Sequence, residues 1–275
     1  MNKTMARKMI KAQAWANMAG NWFSSLLVML IEFFIVGSIM SFFPWRVPSY
    51  AELLAAQGDS VKILILMLPR EITAKTEALL IIILLLVLLV LSPFAIGKSR
   101  FFLKVGRGEK AKIRDVFSPF TSIKTVFSSV GLQIMLLLLT LLWAVLLMLA
   151  PFAVLVVSVA LKSVLIMYIA KLLIFVAAIG ALLITSRYNF AVFIFAEDET
   201  KGAIKSLGEC IRLLRGRTAE CIKLRASYFF FDIMSLYVPP FVFVYQCVFM
   251  TVYGKYLSYF RNKASFSEEI PPEEV

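Results

Sequence analysis

Residues 78–91 read ALLIIILLLVLLVL, fourteen aliphatic side chains in succession. A helix in water needs a polar face, and this run offers none. Continued through Ser92, Pro93, Phe94, Ala95, Ile96 and Gly97, it reaches 20 residues without a charge, the length that crosses ~30 Å of hydrocarbon as an α-helix. The rest of the chain fits the same solvent. It is 61% hydrophobic with a mean hydropathy of +0.87, yet carries 29 Lys+Arg against 17 Asp+Glu. Such a composition keeps its charges at the edges of a bilayer. The expected class is all-α, a polytopic multi-pass membrane protein whose first partner is the lipid bilayer.

Other apolar stretches have the same character. The first runs from about residue 24 to 43 and contains one acid, Glu32. It is too long for the apolar region of a cleaved signal, and Ser41-Phe42-Phe43-Pro44 is no small-residue cleavage site. Residues 126–185 exceed one crossing and divide near 160–163, where Lys162 supplies the break. Residues 221–256 divide at Val238-Pro239-Pro240, because consecutive prolines remove two backbone donors and obstruct a continuing helix. One long kinked helix is the alternative for that stretch. Six spans are expected, with boundaries of 1–22 for a basic N-terminal helix, 23–258 for the membrane domain and 259–275 for an acidic disordered tail.

Charge sets the orientation. Alternate segments (1–22, 98–124, 187–225 and the stretch after the last span) hold 23 Lys/Arg, whereas 44–77 and the turn near 160 hold 5. Basic residues stay on the cytoplasmic side, so both termini are expected inside, and only an even number of spans allows that.

Two cytoplasmic loops, 98–124 and 187–220, carry the polar information. In the first, Phe101, Phe102, Leu103 and Val105 interleave with Lys98, Arg100, Lys104 and Arg107, followed by Lys110 and Lys112. Apolar groups alternating with cations suit a segment lying among anionic headgroups. A nucleic-acid partner is not expected, since no compact domain presents the patch. In the second loop Ile204, Leu207, Ile211 and Leu214 recur at helical spacing, with Lys201, Lys205, Arg212 and Arg215 mostly on other faces. Asp198, Glu199 and Thr200 suit its start and Gly216 its stop. This is an amphipathic surface helix packed beneath the bundle. Arg100, Lys104, Arg107, Lys110, Lys112, Arg212 and Arg215 are the candidate contacts to anionic inner-leaflet lipids. On the other side, the apolar run within 61–69 is too short to span and belongs at the outer interface.

The chemistry available is narrow. The chain has no histidine, which removes His-based acid/base catalysis and the commonest metal ligand. Cys210, Cys221 and Cys247 lack metal-site spacing and read as reduced thiols. Gly106-Arg107-Gly108-Glu109 lacks the length and the Lys-Ser/Thr of a phosphate loop. No enzyme activity, cofactor or metal is expected. Three ionisable residues stand inside expected spans, Glu32, Lys171 and Asp232. Charge in hydrocarbon is costly, so Lys171 is expected either to pair with one or both acids or to snorkel outward.

Four segments resemble a known family. Ala19-Gly-Asn-Trp22 is similar to its Gly-Asn-Trp entry to the first span. Residues 97–109, then Asp115-Val-Phe117 and Phe120, are the closest match. Leu142-Trp143 with Pro151, and Arg187-Tyr188 leading to Ser206 and Arg215-Gly216-Arg217, complete it. These resemble the bacterial integral-membrane family known as domain of unknown function nine-seven-five. The chain departs from it where Phe152 follows Pro151 and where the stretch from Pro151 to Arg187 is longer. The resemblance implies a bacterial plasma-membrane protein and brings no activity with it. Two functions compete. One is a membrane-organising or partner-binding protein acting through its basic cytoplasmic face, its protein partner unidentified. The alternative is a small transporter, or the membrane subunit of one, with Glu32 and Lys171 near the pathway. Few intramembrane charges and no internal repeat favour the first.

Overall fold

The computed structural model describes residues 3–45, 48–56, 62, 66, 74–237 and 239–268, and among these every regular element is helical. Helix α1 (Lys3–Met18) turns at 19–21 into α2 (Trp22–Ser41). At the turn the Asn21 side chain donates to the Asn17 carbonyl, 3.2 Å, and Trp15 meets Trp22 edge to face. A short α3 (Tyr50–Ala55) follows, its start fixed by reciprocal bonds between Ser49 and Glu52. The aliphatic run forms α4 (Ala74–Leu86), a π-helical turn at Val87–Leu91 and α5 (Ser92–Arg107) without a break. After a 3-10 segment (Ile113–Thr121) come α6 (Ile123–Ala160), α7 (Val164–Thr185), α8 (Asn189–Glu197), α9 (Gly202–Leu213), α10 (Thr218–Tyr237) and α11 (Pro239–Glu268).

Four helical stretches are long and apolar enough to cross a membrane: Trp22–Ser41, Lys75–Arg107, Ile123–Ser158 and Val164–Glu197. The first of the expected breaks occurs at Leu161 and Lys162, the latter in the left-handed region with φ 50°. The second expected break, at residues 238–240, turns on residue 238, which lies outside the described residues; helix is described up to Tyr237 and again from Pro239. Neither α10 nor α11 has the long apolar stretch of those four. Most of 61–69 lies outside the described residues, as do 269–275 of the tail. Residues 259–268 of that tail are helical, an extension of α11 that the acidic composition did not suggest. Phe260 explains it, since its ring is fully buried and anchors the helix end.

The loop expected over 98–124 is mostly not a loop. Gly108 (φ 77°) closes α5, with its N–H bonded to the Val105 carbonyl and that of Glu109 to the Lys104 carbonyl, so the helix runs to Arg107. Phe101, Phe102, Leu103 and Val105 do not lie on a membrane surface. All four are within 2% of full burial, at the centre of a core shared by α1, α5, α8 and α11. A close crossing makes this possible. A Cβ on Gly254 of α11 would stand 3.0 Å from Leu103 Cα of α5. A Cβ on Gly97 would stand 1.8 Å from the Val116 carbonyl oxygen, so the 3-10 segment packs onto α5 only because that position is glycine.

Aromatic rings fill this core. Phe190 of α8 stacks on Tyr253 of α11 with centroids 4.6 Å apart and meets Phe260 edge to face at 5.8 Å. By contrast, α6 and α7 form a long antiparallel hairpin that is largely bare. Only 6% of the most apolar stretch of α6 is buried, and Leu141, Leu149, Phe152, Leu165 and Phe175 are all exposed.

Candidate functional site

Buried charge comes first, because desolvation makes it expensive unless paired. Glu32 has a partner, and it is Lys98. The ammonium on α5 donates to the carboxylate on α2 at 2.5 Å, with side-chain exposures of 13% and 26%. The expected pairing of Glu32 with Lys171 is replaced by this one. Lys171 is exposed on α7, its ammonium 5.6 Å from the Tyr168 ring centroid, as a snorkelling lysine would be. The side chain of Asp232 lies outside the described residues.

Beyond that pair, at the far end of α5, ion pairs tie α5 to the 3-10 segment, and α5, α8, α9 and α11 to one another. Arg100 donates to Glu199 (2.8 Å) and to Ser118 (3.0 Å). Lys104 donates to Asp115 at 2.9 Å. Arg107 and Arg261 both donate to Glu197, at the end of α8. Arg261 reaches on to Glu209 of α9 (2.8 Å), which also accepts from Lys201 (2.8 Å). Partial burial opposes ionisation of Asp115, but bonds from the Lys104 ammonium and the Lys112 N–H hold its carboxyl below the ordinary range. Burial likewise opposes ionisation of Glu209, and the cations of Lys201 and Arg261 hold it low.

This network divides the basic residues into two groups. Arg100, Lys104 and Arg107 belong to internal pairs, so their charge is already answered by protein carboxylates. Sequence reasoning counted these cations and missed their partners, because Asp115, Glu199 and Glu197 lie 11 to 99 residues away along the chain. Lys110, Lys112, Arg212 and Arg215 are exposed and form no ion pair among the described residues.

Helix α9 divides its expected apolar stripe between two environments. Leu207 and Leu214 are buried, together with Ser206 and Cys210. Ile204 and Ile211 face outward, 74% and 53% exposed. Lys205, Arg212 and Arg215 flank them, so the free surface of α9 combines branched apolar groups with three cations. The cap at Asp198 serves the preceding 3-10 turn, where its side chain accepts from the Thr200 N–H at 3.1 Å. Gly216, with φ 74°, turns the chain into α10.

Between α9, the start of α10 and the end of α7 lies a cavity of about 490 Å³. Arg187, Tyr188, Ile211, Arg212, Arg215 and Thr218 line it, along with Cys210 and Gly216. Tyr188 is 7% exposed and its hydroxyl accepts from Trp143 Nε1 (3.1 Å) and from the Arg187 guanidinium. That guanidinium lies between the Tyr188 ring at 4.6 Å and the Trp143 ring at 5.5 Å. Burial pushes the Cys210 thiol up to about 12, so it is protonated at neutral pH and supplies no nucleophile. Arg187, Tyr188, Arg215 and Gly216 meet at this cavity, and Trp143 bonds to Tyr188.

No family model matches the chain, and neither does any curated protein or solved structure.

Proposed function

We propose that this chain is a six-span protein of the bacterial plasma membrane that organises anionic lipid, or a membrane-protein partner, through its basic cytoplasmic face. The observation that carries the reading is the outer surface of α9. Ile204 and Ile211 are exposed between Lys205, Arg212 and Arg215. An exposed isoleucine beside unpaired cations is costly in water and well matched to the boundary between acyl chains and anionic headgroups. Lys110 and Lys112 add to the same end of the molecule, just past the Arg107–Glu197 pair. With α10 and α11 as fifth and sixth spans, both termini are cytoplasmic, and the unequal partition of Lys/Arg supports that orientation. The family resemblance is part of the proposal and supports the architecture alone.

The transport alternative has one observation in its favour, the Glu32–Lys98 pair between two apolar helices. A pathway through it requires a variant that folds normally yet has lost solute flux.

The lipid reading is tested with spin-labelled lipids in proteoliposomes, comparing phosphatidylglycerol with phosphatidylcholine at the protein surface. Selectivity for the anionic lipid is expected, shrinking with added salt and in the Lys110→Gln/Lys112→Gln/Lys205→Gln variant. The change is ~1 kcal/mol per residue at low salt. Equal association of both lipids removes the electrostatic basis of the proposal.

A further inference from the structure

The side chains that line the cavity beside Arg187 are rich in hydrogen-bond donors. Three guanidinium groups, from Arg187, Arg212 and Arg215, line it with the hydroxyls of Tyr188 and Thr218, and no carboxylate does. Two donors there are left over. The Tyr188 oxygen accepts from Trp143 and Arg187, and its own proton makes no hydrogen bond among the described residues. The Arg187 Nε is buried and has no hydrogen-bond partner. Buried donors are normally satisfied, and this orphan adds to the surplus of donors around the cavity. Arg212 and Arg215 form no ion pair either, although Lys201 and Arg261 near by are matched to Glu209. Thr218, the first residue of α10, lines the same cavity.

We infer that this cavity binds the phosphate of an anionic lipid headgroup. A phosphoryl group supplies several acceptor oxygens and negative charge, which is what three guanidinium forks and two hydroxyls lack. At about 490 Å³ the cavity has room for the headgroup around the phosphate. Depth selects the lipid over a soluble anion. Arg187 stands 23 residues after Val164, the first residue past the α6–α7 turn. At ~1.5 Å per residue this is about 35 Å, one hydrocarbon thickness, so the guanidinium meets the cytoplasmic headgroup layer. Ile211 opens the cavity toward the exposed apolar surface of α9, where acyl chains would lie. The trio of Trp143, Tyr188 and Arg187 holds the innermost guanidinium in place, its charge stacked on aromatic faces. The inference deepens the proposed lipid-binding face and rests on it, but places one stoichiometric site where that face requires only diffuse attraction.

The experiment titrates the full-length protein in detergent with dihexanoyl phosphatidic acid and records the heat of binding. Saturation at one site per chain is expected. The Arg212→Gln/Arg215→Gln variant, altered only at exposed side chains, should bind at least about tenfold more weakly, as loss of hydrogen bonds to a charged group implies. Arg187→Gln should do the same, read beside a thermal melt because its side chain packs on Trp143. Dihexanoyl phosphatidylcholine, with the same tails and no net charge, should leave the titration unchanged. The Lys110→Gln/Lys112→Gln/Lys205→Gln variant should titrate like the unmodified chain. Undiminished binding in the Arg212/Arg215 variant, or competition by phosphatidylcholine, overturns the site while leaving the diffuse lipid selectivity to stand or fall on its own test. Inorganic phosphate binding more tightly than phosphatidic acid overturns the lipid assignment and makes a soluble phosphate the ligand.

Discussion

The α6–α7 hairpin and the core around α5, α8 and α11 are built from similar residues and treat them in opposite ways. In the hairpin, Leu141, Leu149, Phe152 and Phe175 point away from the protein. In the core, Phe102, Phe190, Tyr253 and Phe260 are within 1% of complete burial. Hydrophobicity alone does not distinguish Phe152 from Phe190. What distinguishes them is the neighbour, since only the core has glycines that let helices approach to backbone contact and charges that lock their ends together. The hairpin is stabilised by its surroundings, and the core by its own packing.

The sharpest way to break this comparison is to truncate one ring in each region. Phe190→Ala leaves a cavity against Tyr253 and Phe260 and should cost about 3–5 kcal/mol. Phe152→Ala removes a ring facing outward and should cost less than about 1 kcal/mol for the protein in lipid, where the ring leaves no internal void. Unfolding in mixed micelles measures both, and equal losses would abolish the distinction.

A second comparison sets the two ends of α5 against one another. Lys98 and Glu32 depend on each other within apolar helices, whereas beyond the far end Glu197 and Glu209 each accept from two cations. Removing one member strands the other. Glu32→Gln or Lys98→Met should each destabilise by about 2 kcal/mol, and the double variant by less than either single change. An additive double-variant result in the same unfolding assay would mean that the two charges do not stabilise one another.

The smallest effect is electrostatic and reversible. Asp115 holds the 3-10 segment against α5 through Lys104, with its folded-state pKa below the ordinary value. A lowered carboxyl contributes stability above its unfolded pKa and loses it as pH falls through the folded value. Stability should therefore decline as pH drops below ~4, and Asp115→Asn should flatten that decline, by less than about 1 kcal/mol for a partly exposed pair. Unfolding curves of the two proteins that remain parallel from pH 6 to 3 would remove Asp115 from the ledger.

Much of the architecture was legible in the chain because its causes are local. The aliphatic run at 78–91 and the break at Lys162 act on backbone and solvent within a few residues, and both appear where the sequence placed them. The interleaved Phe101-Phe102-Leu103 and cations had the local pattern of a surface segment and became the centre of the core. Nothing within ten residues on either side announces α8, α11 or Gly254, which cover them. The candidate site divides in the same way. Arg212 and Arg215 were visible as basic residues on a helix, but the cavity they share with Arg187 needs the end of α7 folded against α9.

By itself, then, the sequence determined that this chain is helical, with long apolar stretches and basic residues concentrated in alternate connecting segments, because helix formation and transfer to an apolar medium depend on each segment's own residues. Tertiary structure decided which charge meets which. Glu32 takes Lys98, not Lys171, and Glu197 takes Arg107 with Arg261. Coulomb energy follows distance in space, and positions 64 to 90 residues apart along the chain come within bonding distance only after the helices have packed.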